Sequence, residues 1–415
     1  MDFNDTPDDA EYRAKVRAWL ATAAADYRDP PARPVSRGEN VPESRKWQKI
    51  KHAAGYTGIT WPKAFGGQGL SPMHSIIFNQ EQSKYHAPTE LFAIGLGMCI
   101  PTVFTHGSPA LVERYVAKAL EGEEVWCQLF SEPSAGSDLA GIRTKAVRAP
   151  RQDAADGEPD DWIIDGQKVW TTNAHLSDFG IIVTRTDPSA PKHKGLTMFI
   201  VDMHAPGVEA RPLKQMSGGS DFNEVFFTGV RVSDSHRLGA VGDGWKVSLT
   251  TLMNERLAVG GKPGHAPGYR DLMALAARIE TDMGPAIEAR DVRQRIAATY
   301  IADEGIRLTQ MRALSALSKG EAPGPEQSIS KVVVAKTMQE MAAFALDLSE
   351  ASGFTAAGGD PGLHKLQGSY MASAGLRIAG GTDEILRNII AERVLGLPGD
   401  MRPDKDTPFN QIRAA

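Results

Sequence analysis

Residues 126–146 read WCQLFSEPSAGSDLAGIRTKA, and the change of vocabulary inside this stretch decides the fold. Ahead of Trp126 the apolar residues recur at helical spacing, and behind Lys145 they come in short β-rich runs. The middle of the stretch, Glu132-Pro133-Ser134-Ala135-Gly136-Ser137-Asp138, packs small residues and hydroxyls at that junction. Such a loop lets backbone N–H groups approach a ligand closely, and serines add donors. An ordinary connection has the same composition, so the stretch alone supports both readings.

Working outward, residues 1–124 read as an N-terminal helical domain. In EYRAKVRAWLATAAADY, Tyr12, Val16, Leu20 and Ala24 recur at helical spacing. TWPKAFGGQGLSP, residues 60–72, is a loop by its Pro and Gly content. PALVERYVAKALEG is a helix ended by Gly122. Residues 125–235 read as a central β domain, a small sandwich or barrel, from the runs WIIDGQKVW, FGIIVTR, GLTMFIVDM, VEARPL and NEVFFTGVRV. Within the first run, Asp165-Gly166 is a turn signal. The acidic, Pro/Gly-rich residues 150–161 read as a long hairpin loop. Residues 236–415 turn helical again, with long periodic runs up to about Leu397. The polar tail 398–415 is expected to wrap a neighbour or fray.

Composition narrows the function. The chain has 415 residues, 41% hydrophobic and 23% charged, as an ordinary globular protein of about three domains does. A formal charge of −5 leaves no global basic field for nucleic acid or anionic lipid. Two cysteines build no disulfide framework, and the ten histidines show no metal spacing. The polar, acidic N-terminus lacks a signal-peptide pattern, and no run approaches the ~18 apolar residues of a membrane span. A cytoplasmic protein is expected.

Three further segments could carry chemistry. Val169-Trp170-Thr171-Thr172-Asn173 closes a strand-like run; its Trp is either a core plug or a flat aromatic wall with hydroxyl donors beside it. Met253-Asn254-Glu255-Arg256 lies in a helical run with Leu249, Leu252 and Leu257 nearby. A carboxylate against an apolar face has a raised pKa, suited to a general base, although a solvated Glu on an amphipathic helix reads the same way. Gly380-Gly381-Thr382-Asp383-Glu384 is a helix start in which Thr382 can cap and free N–H groups can face an anion.

Taken together, EPSAGSD, VWTTN some thirty residues later, GAVGDGW before a helix and GGTDEI near the C-terminus resemble the acyl-CoA dehydrogenase family of FAD enzymes. The resemblance runs from WPKAFGGQG to ERVLGLP. It implies an α+β fold of N-terminal helical domain, central β-sandwich or barrel, and C-terminal four-helix bundle. It implies that residues Gln128 to Ser137, with Phe130, Ser131 and Gly136 among them, line the flavin ring, Ser137 lying between flavin and substrate. It places Trp170, Thr171 and Thr172 on the other side of the ring, Gln294 on FAD across a subunit interface, and Thr382 and Glu384 on the adenosine diphosphate. Ser137, Arg256, Gly380 and Gly381 then border the acyl-CoA. An α-proton leaves to a carboxylate while a β-hydride moves to FAD, and donors at the thioester oxygen stabilise the enolate. An electron-transfer flavoprotein or similar acceptor, and a homo-oligomer or a heterotetramer with a second dehydrogenase subunit, are the implied partners.

Two departures from the family pattern sharpen the expectation. The commonest base position, just before Gly-Thr, is here Gly380, which takes no proton. A minority branch carries its base on the earlier helix in an Glu-Arg pair, and this chain has Glu255-Arg256 there. The Arg-x-x-x-Phe-Gly segment that binds the FAD pyrophosphate in many members is missing from GPAIEARDVRQ, residues 284–294. One lost charge-assisted hydrogen bond, about 1.5–3 kcal/mol, predicts weaker FAD retention by the isolated chain.

Overall fold

The computed structural model describes residues 5–31, 37–150, 161–259, 266–318, 324–325, 327–355, 361–401 and 404–412, without the side chains at 255–259, 314, 317–318, 327 and 361. It divides into two compact units, one of residues 7–255 with 400–415 and one of residues 256–399 with 1–6.

The first unit begins with five helices, α1 (Pro7–Ala23), α2 (Val41–Ala53), α3 (Pro72–Gln82), α4 (Ile100–His106) and α5 (Pro109–Glu121). α5 shows how sequence sets the ends: Ser108 accepts a hydrogen bond from the Leu111 amide, Pro109 occupies the first turn, and Gly122 closes the helix at φ 81°. Val16, Leu20 and Ala24 face a core with Trp47, Tyr56 and Phe78. Residues 60–71 form the expected loop, with one tight turn at Lys63–Phe65.

The strands are β1 (Trp126–Leu129), β2 (Lys145–Ala149), β3 (Asp161–Thr172), β4 (Phe179–Arg185), β5 (Leu196–Asp202), β6 (Val208–Leu213), β7 (Phe222–Val232) and β8 (Arg237–Leu238). They form one mixed sheet in the order β6-β7-β3-β2-β4-β5-β8, with β1 beside β4. The sheet forks at β4: β1 pairs in parallel with Phe179 to Ile182, and β2 meets β4 at Arg185. The chain from Phe130 to Thr144, which contains SEPSAGSD, bridges that fork. β4 and β5 are buried on both faces, which explains their near-continuous apolar sequence. Ile181, Val183, Met198 and Ile200 pack against residues of α4 and α5, such as Val103 and Val116. Ile182, Phe199 and Val201 share a second core with Trp162 and Ile164 of β3 and Val225 and Phe227 of β7. The β domain is therefore a single forked sheet whose two arms share a sandwich-type core.

Asp165-Gly166 is not a turn. β3 runs straight through it, and a register shift against β7 lies between Ile164 and Gly166. Gly166 takes φ 150°, and a Cβ there would meet Thr144 Oγ1 at 2.5 Å. Asp165 accepts the amide of Gly229 on β7. The pair that reads as a hairpin turn thus builds a bulge, where close backbone approach demands glycine. The expected hairpin loop at 150–161 lies, apart from its ends, outside the described residues; β2 and β3 on either side pair antiparallel.

α6 (Gly244–Val259) follows the sheet. The second unit contains α7 (Tyr269–Ala276), α8 (Arg290–Ser318), α9 (Gln327–Leu348), α10 (Glu350–Gly353), α11 (Pro361–Leu376) and α12 (Asp383–Ile389). Four of these helices share one core, with Leu272 and Leu275 of α7, Ile296 of α8, Met341 and Ala345 of α9, and Leu366 of α11. The expectation that the tail frays is corrected for residues 404–412. Phe409 and Asn410 donate backbone hydrogen bonds to Ala190 and Pro188, so the tail docks on the β4–β5 connection of its own chain.

Candidate active site

The SEPSAGSD loop is built around a buried carboxylate. Glu132 accepts from Lys168 Nζ at 2.8 Å and from the amides of Arg143 at 2.6 Å and Thr144 at 2.9 Å. Glu132 and Ala135 close a tight turn with two backbone hydrogen bonds. Burial raises the Glu132 carboxyl, but Lys168 and the two amides outweigh it and hold the group below its usual range. Lys168 is fully buried, and burial pushes its ammonium down to about 8 against the opposing pull of Glu132. With that anchor inside, Pro133, Ser134, Gly136, Ser137 and Asp138 are left exposed. A Cβ at Gly136 would meet nothing within 4 Å, so open space lies over the loop. Gln128 and Ser131 are half-buried. Phe130 turns its ring into the helix-side core and gives its carbonyl to Lys168 Nζ at 3.0 Å.

The end of β3 reaches the same loop, because the Val169 amide donates to Ser131 O at 2.9 Å. The next residue decides between core plug and aromatic wall. Trp170 adopts φ 59°, left-handed backbone that a bulky L-residue rarely takes, and its ring is 62% exposed. It is not a core plug. The strained backbone coincides with a second register shift between Lys168 and Thr171 and aims a large aromatic face outward beside the loop. Thr171 is buried, and its hydroxyl has no hydrogen-bond partner. Thr172 beside it is half-buried. Asn223 secures this end by donating to Thr171 O at 2.9 Å while its Oδ1 pairs with His175 at 2.8 Å.

α6 is held to the N-terminal helices by two side-chain hydrogen bonds. Thr102 and Thr251 hydroxyls meet at 2.9 Å, and His106 Nε2 meets Thr250 at 2.8 Å. Val247, Ser248 and Thr251 are buried, but Leu249 and Met253 are exposed. Of the apolar residues expected around Glu255, Leu252 packs on the core and Leu249 does not, while the Leu257 side chain lies outside the described residues. Glu255 follows Thr251 by one helical turn, and Arg256 comes next; both side chains lie outside the described residues.

In the helical unit, Thr382 caps α12 by accepting from the Ile385 amide at 3.2 Å. Gly380 and Gly381 take φ 65° and 91°, the left-handed region glycine tolerates. Lys331 Nζ donates to Gly381 O at 2.6 Å, and Arg377 clamps buried Asp383 at 2.7 Å. Glu384 is exposed on α12, and Gln294 is exposed in the first turns of α8 with Arg290 and Arg293. The sheet-bearing unit thus brings Gln128–Ser137 and Trp170–Thr172 together, and the helical unit gathers Gly380–Glu384.

Sequence reasoning missed Lys168, Asn223, Lys331 and Arg377, which position these segments. Their signal was faint: Lys168 is a lone cation inside the apolar run WIIDGQKVW, whereas Arg377 merely precedes the glycine pair.

Three sequence models match, those of the acyl-CoA dehydrogenase N-terminal domain over residues 6–123, middle domain over 127–230 and C-terminal domain over 242–395. The chain belongs to the acyl-CoA dehydrogenase family. It is 36% identical to acyl-CoA dehydrogenase IpdE1 of Mycolicibacterium smegmatis across 94% of this chain and 98% of that one. It is 38% identical to acyl-CoA dehydrogenase FadE34 of Mycobacterium tuberculosis across 81% of this chain, although it spans only 44% of that longer protein. Among solved structures, the Tcur3481–Tcur3483 steroid ACAD superposes with a TM-score of 0.78 at 27% identity, covering 96% of this chain and all of that one. The ChsE4–ChsE5 complex from Mycobacterium tuberculosis gives 0.76 at 26%, covering 96% and 100%. Acyl-CoA dehydrogenases are flavin-dependent oxidoreductases, and this chain is one. The residues present fit a flavin: an outward Trp ring, open space over Gly136 and an unpartnered Thr171 hydroxyl stand in the same unit. Among the described residues no helix is long and apolar enough to cross a membrane, and none cluster as metal ligands.

Proposed function

We propose that this chain performs FAD-dependent α,β-dehydrogenation of an acyl-CoA thioester with Glu255 as the base. FAD, when bound, supplies the acceptor for the β-hydride. Glu255 removes the α-proton, and water exclusion strengthens it as a base. Trp170 covers one face of the cofactor; Thr171 and Thr172 donate to it, and the Gln128–Ser137 segment walls the other side. The Gly380 backbone, relieved of a side chain, keeps its N–H for the thioester oxygen and leaves room for acyl bulk. Gln294, Thr382 and Glu384 serve the adenosine diphosphate, while Ser137, Arg256 and Gly381 border the substrate. The three-part division at residues 124/125 and 235/236 belongs to this reading, as do a cytoplasmic setting and an electron-transfer flavoprotein as acceptor.

The observation that carries the reading is Gly380 at φ 65° where the common base would stand, in a chain that has Glu255 on α6. A steroid-derived acyl chain is favoured by the likeness to the steroid ACAD. Anaerobic addition of a panel of thioesters tests it. The flavin should bleach with a bulky ring-bearing acyl-CoA and much more slowly with short straight chains; a panel that leaves the flavin oxidised contradicts the proposal.

A heteromeric assembly is favoured by two observations. The two solved structures named above are each described as a pair of chains. In the helical unit, Tyr300 and Ile301 stay exposed on α8, about two turns past Gln294. The chain purified alone should then carry less than one FAD, and co-expression with a neighbouring dehydrogenase subunit should raise the flavin-to-protein ratio. One tightly held FAD per chain in a homo-oligomer contradicts this assembly.

A further inference from the structure

The docked tail touches the far limb of the SEPSAGSD loop. Phe409 lies under the Arg185 guanidinium, 3.8 Å from ring centroid to Cζ, with Arg143 at 5.6 Å. The same guanidinium donates to Ala140 O at 2.5 Å and to Ile142 O at 3.4 Å, the end of the loop. It also donates to Lys192 O at 2.7 Å. Lys192 Nζ sits between two carboxylates, Asp138 of the loop at 3.0 Å and Asp404 of the tail at 3.1 Å. A bridge between Pro191 and Pro408 and the backbone bonds from Phe409 and Asn410 complete the seat. Two independent cationic links therefore join residues 404–410 to residues 138–142, more than 250 positions away in sequence.

These contacts do more than cover apolar surface. Ser137 and Asp138 are exposed and Gly136 has open space around it, so the outer loop has little packing of its own. Glu132 fixes the amides of Arg143 and Thr144 at one end. The limb between Asp138 and Ile142 is seated by Leu139 and Ile142 in the helix-side core and held by its own turn bonds, and its carbonyls and the Asp138 carboxylate are tied down by Arg185 and Lys192. A cation over an aromatic face is held more strongly when it is desolvated, and Arg185 is nearly fully buried.

We infer that the C-terminal segment Asp404–Asn410 is a strap, with Phe409 and Asp404 as positioning residues that hold the Asp138–Ile142 limb, and with it Ser137, in the geometry that binds the acyl-CoA. The inference rests on the proposal that Ser137 borders flavin and substrate. Phe409 touches neither; it acts through Arg185.

Full-length Phe409→Ala, Phe409→Trp and Asp404→Asn variants, purified with flavin, test it. Amide exchange of residues 138–144 and the thioester-concentration dependence of anaerobic flavin reduction are the readouts. Phe409→Ala should speed exchange in this segment at least tenfold and raise the half-saturating thioester concentration roughly three- to tenfold, with a smaller change in the limiting rate. Asp404→Asn should move both in the same direction by less. Phe409→Trp keeps a ring under Arg185 and should restore both. Unchanged exchange at 138–144 in Phe409→Ala overturns the strap. Faster exchange with unaltered flavin reduction overturns its part in substrate binding and puts the fault in the placement of Ser137, whereas failure of every thioester to bleach the wild-type flavin would point to the proposed reaction itself.

Discussion

Glu132 and Lys168 meet at 2.8 Å with both side chains shut away from solvent, and through them the loop after β1 is tied to the strand that presents Trp170. Breaking a buried pair by removing one partner strands a charge, which costs about 3–5 kcal/mol. Lys168→Met should therefore lower the melting temperature markedly and loosen flavin. Replacing both partners, Glu132→Gln with Lys168→Met, should recover a large part of the stability because no charge is left buried. Thermal melts of wild type and the two variants check this; a double variant no better than Lys168→Met contradicts it.

Trp170 carries strain for a purpose outside the core. A non-glycine residue in left-handed backbone costs about 1–2 kcal/mol, and the 62% exposed ring repays little of it by burial. Trp170→Gly should leave the apoprotein as stable as wild type or up to about 1 kcal/mol more stable. The same change should weaken flavin binding and alter the flavin spectrum. Calorimetry of the apoprotein and a flavin titration give the two signs; a fall in both would return the ring to a structural role.

Glu81 links α1 and α3 by accepting from Arg13 at 3.0 Å and Arg17 at 2.8 Å, with Lys84 at 2.5 Å. Burial raises its carboxyl, but the three cations outweigh that and bring the pKa to about 2. A carboxyl depressed from an unfolded value of about 4.3 stabilises fully above that pH and loses its contribution as the pH falls toward about 2. Allowing for the exposure of Arg17 and Lys84, the contribution is about 2 kcal/mol. Glu81→Gln should lower stability at neutral pH and flatten the acid limb between pH about 4.3 and 2. Denaturant melts across that range measure it, and an unchanged acid limb would count against the assignment.

Local chemistry made much of this legible from sequence. Gly122 and Thr382 end and begin helices as read, because capping depends on residues three or four positions away. The β vocabulary of residues 125–235 was equally local. Asp165-Gly166 misread because a glycine pressed against Thr144 and a glycine in a turn look alike without the partner strand. The direction of Trp170 depends on one backbone angle, and its environment therefore stayed open between core and surface. Lys168 owes its burial to Glu132, 36 positions away, and the tail owes its order to Arg185, more than 200 positions away. Pairings at such separations are set by how the sheet forks, which no single segment records.

The most direct measurement is the anaerobic stopped-flow rate of flavin reduction by the best thioester, in wild type and in Glu255→Gln. The variant keeps shape and loses proton-accepting capacity, so reduction should slow by at least about 10²-fold, the low end of general-base contributions, with FAD still bound. Gly380 at φ 65° offers no ready alternative, since a Glu placed there would sit in left-handed backbone. Reduction of Glu255→Gln at a rate near that of wild type would contradict the account and move the base to another residue.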